Sequence, residues 1–235
     1  GDVYKRQVYN EMKGAFSSPD EVLEREIMNH LFPETTYGCE SGGDPKNIPD
    51  LTYENFLNFH RTYYHPSNSY IYLYGNMDME EKLAFLDEHY LSHFDYLDVD
   101  SVIQEQKAFG ACQDVTLEYP VAENEGEEDN TYLSYNMVVG NAADSQMAMA
   151  FEVLDYALLS APGAPLKQAL LDVKAGKDVY GSYDDGILQP YFTVIAKGSN
   201  PDRKEEFVSV IRQVLGDIVK NGIDRKAVEL SLIHI

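Results

Sequence analysis

What most limits the fold of this chain is the grouping of its helical periods and its short alternating runs. Val8, Met12 and Ala15 fall at helical spacing, which places Glu11 on a short helix ending near Gly14 to Ser17. Ser18-Pro19-Asp20-Glu21 then opens a second helix. Ser18 suits the N-cap, Pro19 the first helical position, and Glu21 stands where a capping box needs it. Val22, Leu23, Ile27 and Leu31 form its apolar stripe, and Pro33 ends it. After a turn-rich loop over 37–50, a third helix is predicted from about Thr52 to Tyr63, with Tyr53, Phe56, Leu57, His60 and Tyr64 on one face. Tyr70, Tyr72 and Tyr74 alternate with Ile71 and Leu73, the pattern of a strand apolar on both faces. Asp78 caps a fourth helix, from Met79 to about Phe94.

Residues 95–112 change character and read as a connection between two units. Beyond it, strands Val115 to Tyr119 and Tyr132 to Val139 flank an acidic loop, Glu123 to Asn130, which reads as a solvated hairpin tip. A long helix follows from about Ala143 to Leu159, and Pro162-Gly163 turns the chain into a shorter one, Ala164 to Leu171. Two strands, Asp178 to Tyr183 and Tyr191 to Ala196, precede a helix opened by Asn200-Pro201, running to Val219 and closed by Asn221-Gly222. Helices and hairpin-compatible strands grouped in this way give an α+β fold, not a doubly wound parallel sheet.

The two ends stand apart. Asp2 to Gln7 reads DVYKRQ, which GAT GTG TAT AAG AGA CAG encodes; the reverse complement of that DNA translates to LSLIHI, the sequence of Leu230 to Ile235. Inverted copies of one DNA stretch at two protein ends point to a sequencing adapter read through on both sides. The native stretch is then expected to run from Val8 to Glu229, as a window on a longer protein.

Composition narrows the function. The 235 residues carry 40 Asp+Glu against 18 Lys+Arg, a formal net charge of -22. Phosphate binding requires clustered Lys and Arg, so a nucleic-acid partner is excluded. The acidic balance would favour a cationic substrate if it lines a cavity, and it equally suits a surface that keeps the protein soluble. The two cysteines, Cys39 and Cys112, form no CxxC pair and no metal-type spacing, which fits a reducing compartment. No apolar run approaches the ~18 residues of a membrane span, so no membrane partner is expected.

Short motifs do not complete an active site. His89 and His93 lie four apart and would share a helix face, but Tyr90 stands where a zincin has Glu, and an exposed helix end is the better reading. His60 and His65 are read as packing and turn residues. Gly42-Gly43-Asp44 leads into no GK[ST], and Gly163-Ala164-Pro165-Leu166-Lys167 lacks the phosphate-loop spacing. From spacing alone Glu11 is a surface glutamate.

A longer likeness changes the weighing. Val8-Tyr9-Asn10-Glu11-Met12-Lys13-Gly14 with the following SSPDEVLERE strongly resembles the pitrilysin/insulin-degrading-enzyme superfamily, and most closely its presequence protease branch. The resemblance continues through LFPETTYGCESGGDPKNIPDLTYENF, FHRTYYHPSNSYIYLYGNMD and GKDVYGSYDDGILQPYFTVIAKG, covering nearly all of Val8 to Glu229 in order. It implies an inverzincin metallopeptidase, in which an H-x-x-E-H helix supplies two zinc ligands and the general base, and a glutamate further along supplies the third ligand. Glu11 matches that glutamate. A carboxylate can complete a three-ligand site that leaves one position for water, whose pKa the metal lowers toward ~7. No H-x-x-E-H stands in this chain, so the resemblance implies one zinc ion in the parent with a single ligand, Glu11, here, and a general base upstream. It further implies mitochondrial-processing-peptidase-like two-layer α/β sandwich domains. On this reading 1–7 and 230–235 are adapter-derived, 8–95 is the C-terminal part of the first, zinc-bearing domain, 96–112 is a linker, and 113–229 is the N-terminal and central part of a second, related domain. Peptide substrates and the C-terminal half of the same parent chain are the implied partners. A bacterial cytoplasm is the expected location, with an organelle matrix as the alternative. Tyr63-Tyr64 and the Tyr70/Tyr72/Tyr74 face fit a peptide channel, and fit a core better. The sequence Leu170-Leu171-Asp172-Val173-Lys174-Ala175-Gly176 departs from expectation, because no glycine precedes Gly176 where a looser turn is anticipated.

Overall fold

The computed structural model describes residues 2–121 and 126–234. Its residues pack into two units, one of residues 1–14 and 41–104 and the other of 15–40 and 105–235. Residues 15–40, which precede the connection in sequence, therefore pack with the second unit.

The first unit contains most of helix α1 (Asp2–Ala15), then α3 (Tyr53–Tyr63) and α4 (Met79–His89). Local chemistry explains its helix starts. Thr52 Oγ1 accepts from the Asn55 amide at 3.1 Å while Asn55 Oδ1 accepts from the Thr52 amide at 2.9 Å, a reciprocal capping box. Asp78 Oδ1 accepts from the Glu81 amide at 3.1 Å at the start of α4. α4 stops at His89 rather than near Phe94, and a 3₁₀ turn, Leu91–His93, follows. The strand anticipated over Tyr70 to Tyr74 does not form: those residues carry no ladder, and Tyr72 and Tyr74 are 84% and 85% exposed. An alternating run becomes a strand only when a neighbour accepts and donates its backbone hydrogen bonds, and no described strand pairs with it. Within this chain the Tyr70, Tyr72 and Tyr74 side chains therefore belong to no apolar core.

The second unit is built on a three-stranded antiparallel sheet ordered β1-β3-β2, with β1 Thr131–Val138, β2 Asp178–Asp184 and β3 Tyr191–Ser199. Val115 to Tyr119 is not a strand. Its Tyr119 instead meets Tyr132 edge-on at 5.9 Å and donates a hydrogen bond to the Asn130 carbonyl. Of the anticipated acidic hairpin tip, residues 122–125 lie outside the described residues. Alternation along the strands divides the side chains between two faces. Leu133, Val179, Phe192, Val194 and Ala196 meet α5 (Ser145–Asp155), α6 (Pro165–Asp172) and α7 (Lys204–Asn221), where Phe151, Leu166, Leu170, Phe207 and Ile211 complete the main core. Tyr191 and Ile195 point the other way, to Ile27 on α2 (Pro19–Leu31) and to Phe32, which follows it. The sheet is thus covered by helix on both faces, in an α+β arrangement.

α5 ends earlier than its apolar stripe suggests and continues as a π-helical turn, Tyr156–Ser160, whose Ala157, Leu158 and Leu159 are buried. Gly181 on β2 lies so close to the Thr193 carbonyl and the Leu159 side chain that a Cβ there would collide with both. The turn after α6 needs no glycine. Lys174 adopts φ +55, its amide bonds Leu171 O at 2.9 Å and the Ala175 amide bonds Leu170 O at 2.9 Å, which together make a Schellman cap with lysine in the left-handed position. A final helix, α8 (Arg225–His234), lies beyond Gly222 and runs through Glu229 into the adapter-like end. The sequence reading had no helix there.

Candidate functional site

Glu11 lies on α1 with an exposed side chain. Met12 beside it packs tightly over Gly42, which fixes α1 against the Gly42-Gly43 loop inside the first unit. Among the described residues no three His, Cys, Asp or Glu converge to hold a metal. The described donors thus do not by themselves fit a zinc ion, which needs at least three protein ligands.

The histidines are engaged in packing and turns. His60 stacks on Tyr64 at 4.7 Å between ring centroids, and His65 Nδ1 accepts from the Ser67 amide at 3.2 Å while its ring meets Phe94 edge-on. His89 ends α4 beside Phe85, and His93 belongs to the following 3₁₀ turn, so the two do not share one helix face. His30 Nδ1 lies 2.7 Å from the Glu26 carbonyl. Cys39 and Cys112 are both free and exposed.

One polar cluster in the second unit is one that sequence reasoning passed over. Asp20, in the first turn of α2, accepts from Lys197 Nζ at 2.8 and 3.1 Å, from Tyr132 Oη at 3.3 Å and from Tyr180 Oη at 3.2 Å. The three donors come one from each strand, so a single carboxylate ties the N-terminus of α2 across the whole sheet. The Lys197 ammonium also lies 5.3 Å from the Tyr132 ring centre. The hydrogen bond from Lys197 holds the Asp20 carboxyl below its usual range, and the same bond raises the Lys197 ammonium. Burial, then the nearby Asp20 charge, pushes the Tyr180 hydroxyl up to about 12. All three groups thus keep their ordinary protonation at neutral pH, and the cluster holds structure rather than moving protons. In the sequence Asp20 was legible only as a first-turn acid beside Ser18, since its partners lie more than a hundred residues away.

Beside this cluster a cleft of about 460 Å³ is lined by Tyr132, Lys197, Lys177, Asp129 and their neighbours. Its charges are internally matched. Lys177 Nζ lies 3.2 Å from Asp129, whose carboxyl the Asn200 side-chain amide and Lys177 hold low, and Lys197 is paired with Asp20.

Asp155 is of a different kind. At the end of α5 its Oδ1 is buried without a partner, and burial pushes its carboxyl up to about 6.

Comparison with known proteins settles the family. Residues 50–232 match the model described as the Peptidase M16 inactive domain. The chain belongs to the M16 peptidase family. It is 48% identical over 229 residues to Protein HypA of Clostridium perfringens, covering 97% of this chain and 24% of that protein. Against Presequence protease 1, chloroplastic/mitochondrial, of Arabidopsis thaliana it is 37% identical over 233 residues, covering 97% of this chain and 22% of the other. The resemblance to the presequence protease branch therefore holds, and the chain spans about a quarter of the length of these relatives. Solved structures share the fold. A peptidase M16 inactive domain from Pseudomonas fluorescens superposes with a TM-score of 0.64 at 17% identity, over 98% of this chain and 54% of that one. A putative M16-like peptidase from Alicyclobacillus acidocaldarius gives 0.61 at 19% identity, over 98% and 53%. None of the helices among the described residues is long and apolar enough to cross a membrane.

Proposed function

We propose that the parent protein is a zinc-dependent metalloendopeptidase that hydrolyses unstructured peptides in a closed chamber, and that Glu11 is one of its zinc ligands. The observation that carries this reading is the collinear similarity to presequence proteases over 97% to 99% of the chain, a span that takes in α1. An exposed carboxylate held on a helix can serve as a ligand once histidines from elsewhere in the parent face it. The general base and the two histidines are assigned upstream of Val8. One carboxylate does not hold zinc tightly, so this chain alone is inactive. Its charge of -22 favours basic peptides. The C-terminal half of the same parent is the proposed partner, and a bacterial cytoplasm the proposed location, with an organelle matrix as the alternative.

The test is Glu11→Gln in the full parent protein, with zinc content after dialysis as the readout. Loss of at least roughly tenfold in zinc affinity, with an unchanged circular dichroism spectrum, is the expected result. Retention of one zinc per chain in the variant removes Glu11 from the ligand set.

A second reading has its own support. The matched family model describes an inactive domain, and it begins at residue 50, leaving Glu11 outside it. The parent is then a non-catalytic scaffold or peptide-binding subunit. Zinc-loaded parent protein that protects a bound peptide without cleaving it would favour this reading over the first.

A further inference from the structure

The chain crosses from the first unit to the second at residues 104–105, within a connection that forms no helix or strand. Two earlier crossings lie at 14–15 and 40–41. The connection is tied down on both sides of the third crossing. On the first-unit side the Leu97 amide donates to Ser67 Oγ at 3.1 Å, and Ser101 Oγ donates to Asn68 Oδ1 at 2.5 Å. Asn68 Nδ2 in turn donates to the Tyr63 carbonyl at 2.9 Å, so the tie reaches back to the end of α3.

On the second-unit side the tie is Gln106, a polar residue only 7% exposed. Its amide donates to Gln189 Oε1 at 2.5 Å, and Gln189 Nε2 donates back to the Gln106 carbonyl at 3.2 Å. The Gln189 side chain thus does for Gln106 what a neighbouring strand does for a paired residue. The Gln106 side chain is also satisfied: Oε1 accepts from the Glu34 amide at 2.9 Å, and Nε2 donates to Glu34 Oε2 at 3.2 Å and to the Lys107 carbonyl at 3.3 Å. A buried amide with its hydrogen bonds made resists displacement, because moving it leaves donors and acceptors unpaired. Between the two ties, Val102, Ile103 and Gln104 make no hydrogen bond within the described structure, and Val102 is 74% exposed.

We infer that Gln106 is a latch that ends the mobile length of this crossing, so that backbone motion there is confined to Val102, Ile103 and Gln104. Three residues span about 10 Å when extended. Glu105 is held only by its exposed side chain, which accepts from Asn141 Nδ2 at 2.6 Å and leaves its backbone free to turn. Among the described residues the next tie along the chain is the Asp114–Lys204 ion pair, so without Gln106 the length with no backbone or buried hydrogen bond to hold it grows several-fold. Hinges are short stretches at element ends that absorb backbone rotation while their flanks stay rigid, and this segment has that form. The inference stands whether or not the parent is a peptidase.

The experiment is residue-resolved amide relaxation and hydrogen exchange on the 235-residue chain. Order parameters below about 0.6 at residues 102–104, with values near 0.85 at Gln106 and Glu34, are expected. In Gln106→Ala the Glu34 amide loses its acceptor and exchanges at least roughly fivefold faster, while low order spreads past residue 106. In Gln189→Ala it is the Gln106 amide that accelerates by a similar factor, and this milder variant carries the test if the first fails to fold. Uniformly high order from 97 to 106 in the unsubstituted chain overturns the inference, as does unchanged exchange at these amides in Gln189→Ala.

Discussion

In the second unit Phe207, Leu166, Leu170 and Ile211 are at most 1% exposed, whereas in the first unit Phe56, Phe59, Tyr64 and Tyr72 are each at least 60% exposed and Ile48 is the single buried apolar residue among those described. Helix starts do not account for this difference, because those of the first unit are the better capped. α3 has a complete capping box and α4 an aspartate cap, while α7 starts from a 3₁₀ turn with no side-chain cap at all. Caps decide where a helix starts, and burial of its apolar face decides how firmly it is held. The stability of this chain therefore resides in the second unit. The first leaves many large apolar side chains exposed, in a chain that covers about a quarter of its relatives.

The sharpest way to break that comparison is a matched pair of truncations. Leu170→Ala leaves a cavity against the sheet and is expected to cost about 3 to 5 kcal/mol in urea unfolding, while Tyr72→Ala changes the same transition by less than about 0.5 kcal/mol. Equal losses from the two substitutions would mean that the first unit is packed as firmly as the second. The next effect concerns pH. Burial raises the folded-state value of Asp155 from 3.8 to about 6, so the folded chain holds this proton more tightly than the unfolded chain does. The resulting stabilisation is fully present below pH 3.8 and is lost as pH rises through about 6. Asp155→Asn is accordingly expected to stabilise by about 1 kcal/mol at pH 7, with the gain shrinking toward pH 4, as read from unfolding curves across that range. A constant difference at all pH values would place the effect in packing rather than charge. The smallest effect is at Lys174, whose φ of +55 favours glycine. Lys174→Gly is expected to gain about 0.5 kcal/mol and raise the melting temperature slightly, provided the Schellman cap is what sets that turn. A loss of stability would show that the lysine side chain contributes more than its backbone costs.

The readings that held and those that failed differ in the range of the interactions behind them. Ser18 accepts from the Glu21 amide at 3.2 Å, as its position before Pro19 implies, and Gly222 closes α7 with φ +85. These contacts span three or four residues, so their chemistry is written in adjacent letters. Tyr70 to Tyr74 has the alternation of a strand but no pairing strand among the described residues, and Val115 to Tyr119 likewise carries a strand pattern without a ladder. Pattern specifies which face a residue would take in a sheet, while pairing supplies the hydrogen bonds that make one. Of the candidate site, Glu11 was legible through resemblance over a long span rather than through any spacing of ligands around it. The Asp20 cluster was not legible at all, because Lys197, Tyr132 and Tyr180 reach it only after three strands have assembled.

By itself the sequence determined most of the helix starts, the α+β class and, through its long collinear likeness, membership of the M16 family. Each of these depends on neighbouring residues or on their order along the chain. Tertiary structure alone decided which apolar runs are enclosed, that Asp20 ties α2 to all three strands, that one carboxylate oxygen of Asp155 is buried without a partner, and that Gln106 locks one end of the connection. In every one of these cases the free energy depends on groups far apart in sequence being brought within a few ångströms and out of water, a condition that only the folded chain supplies.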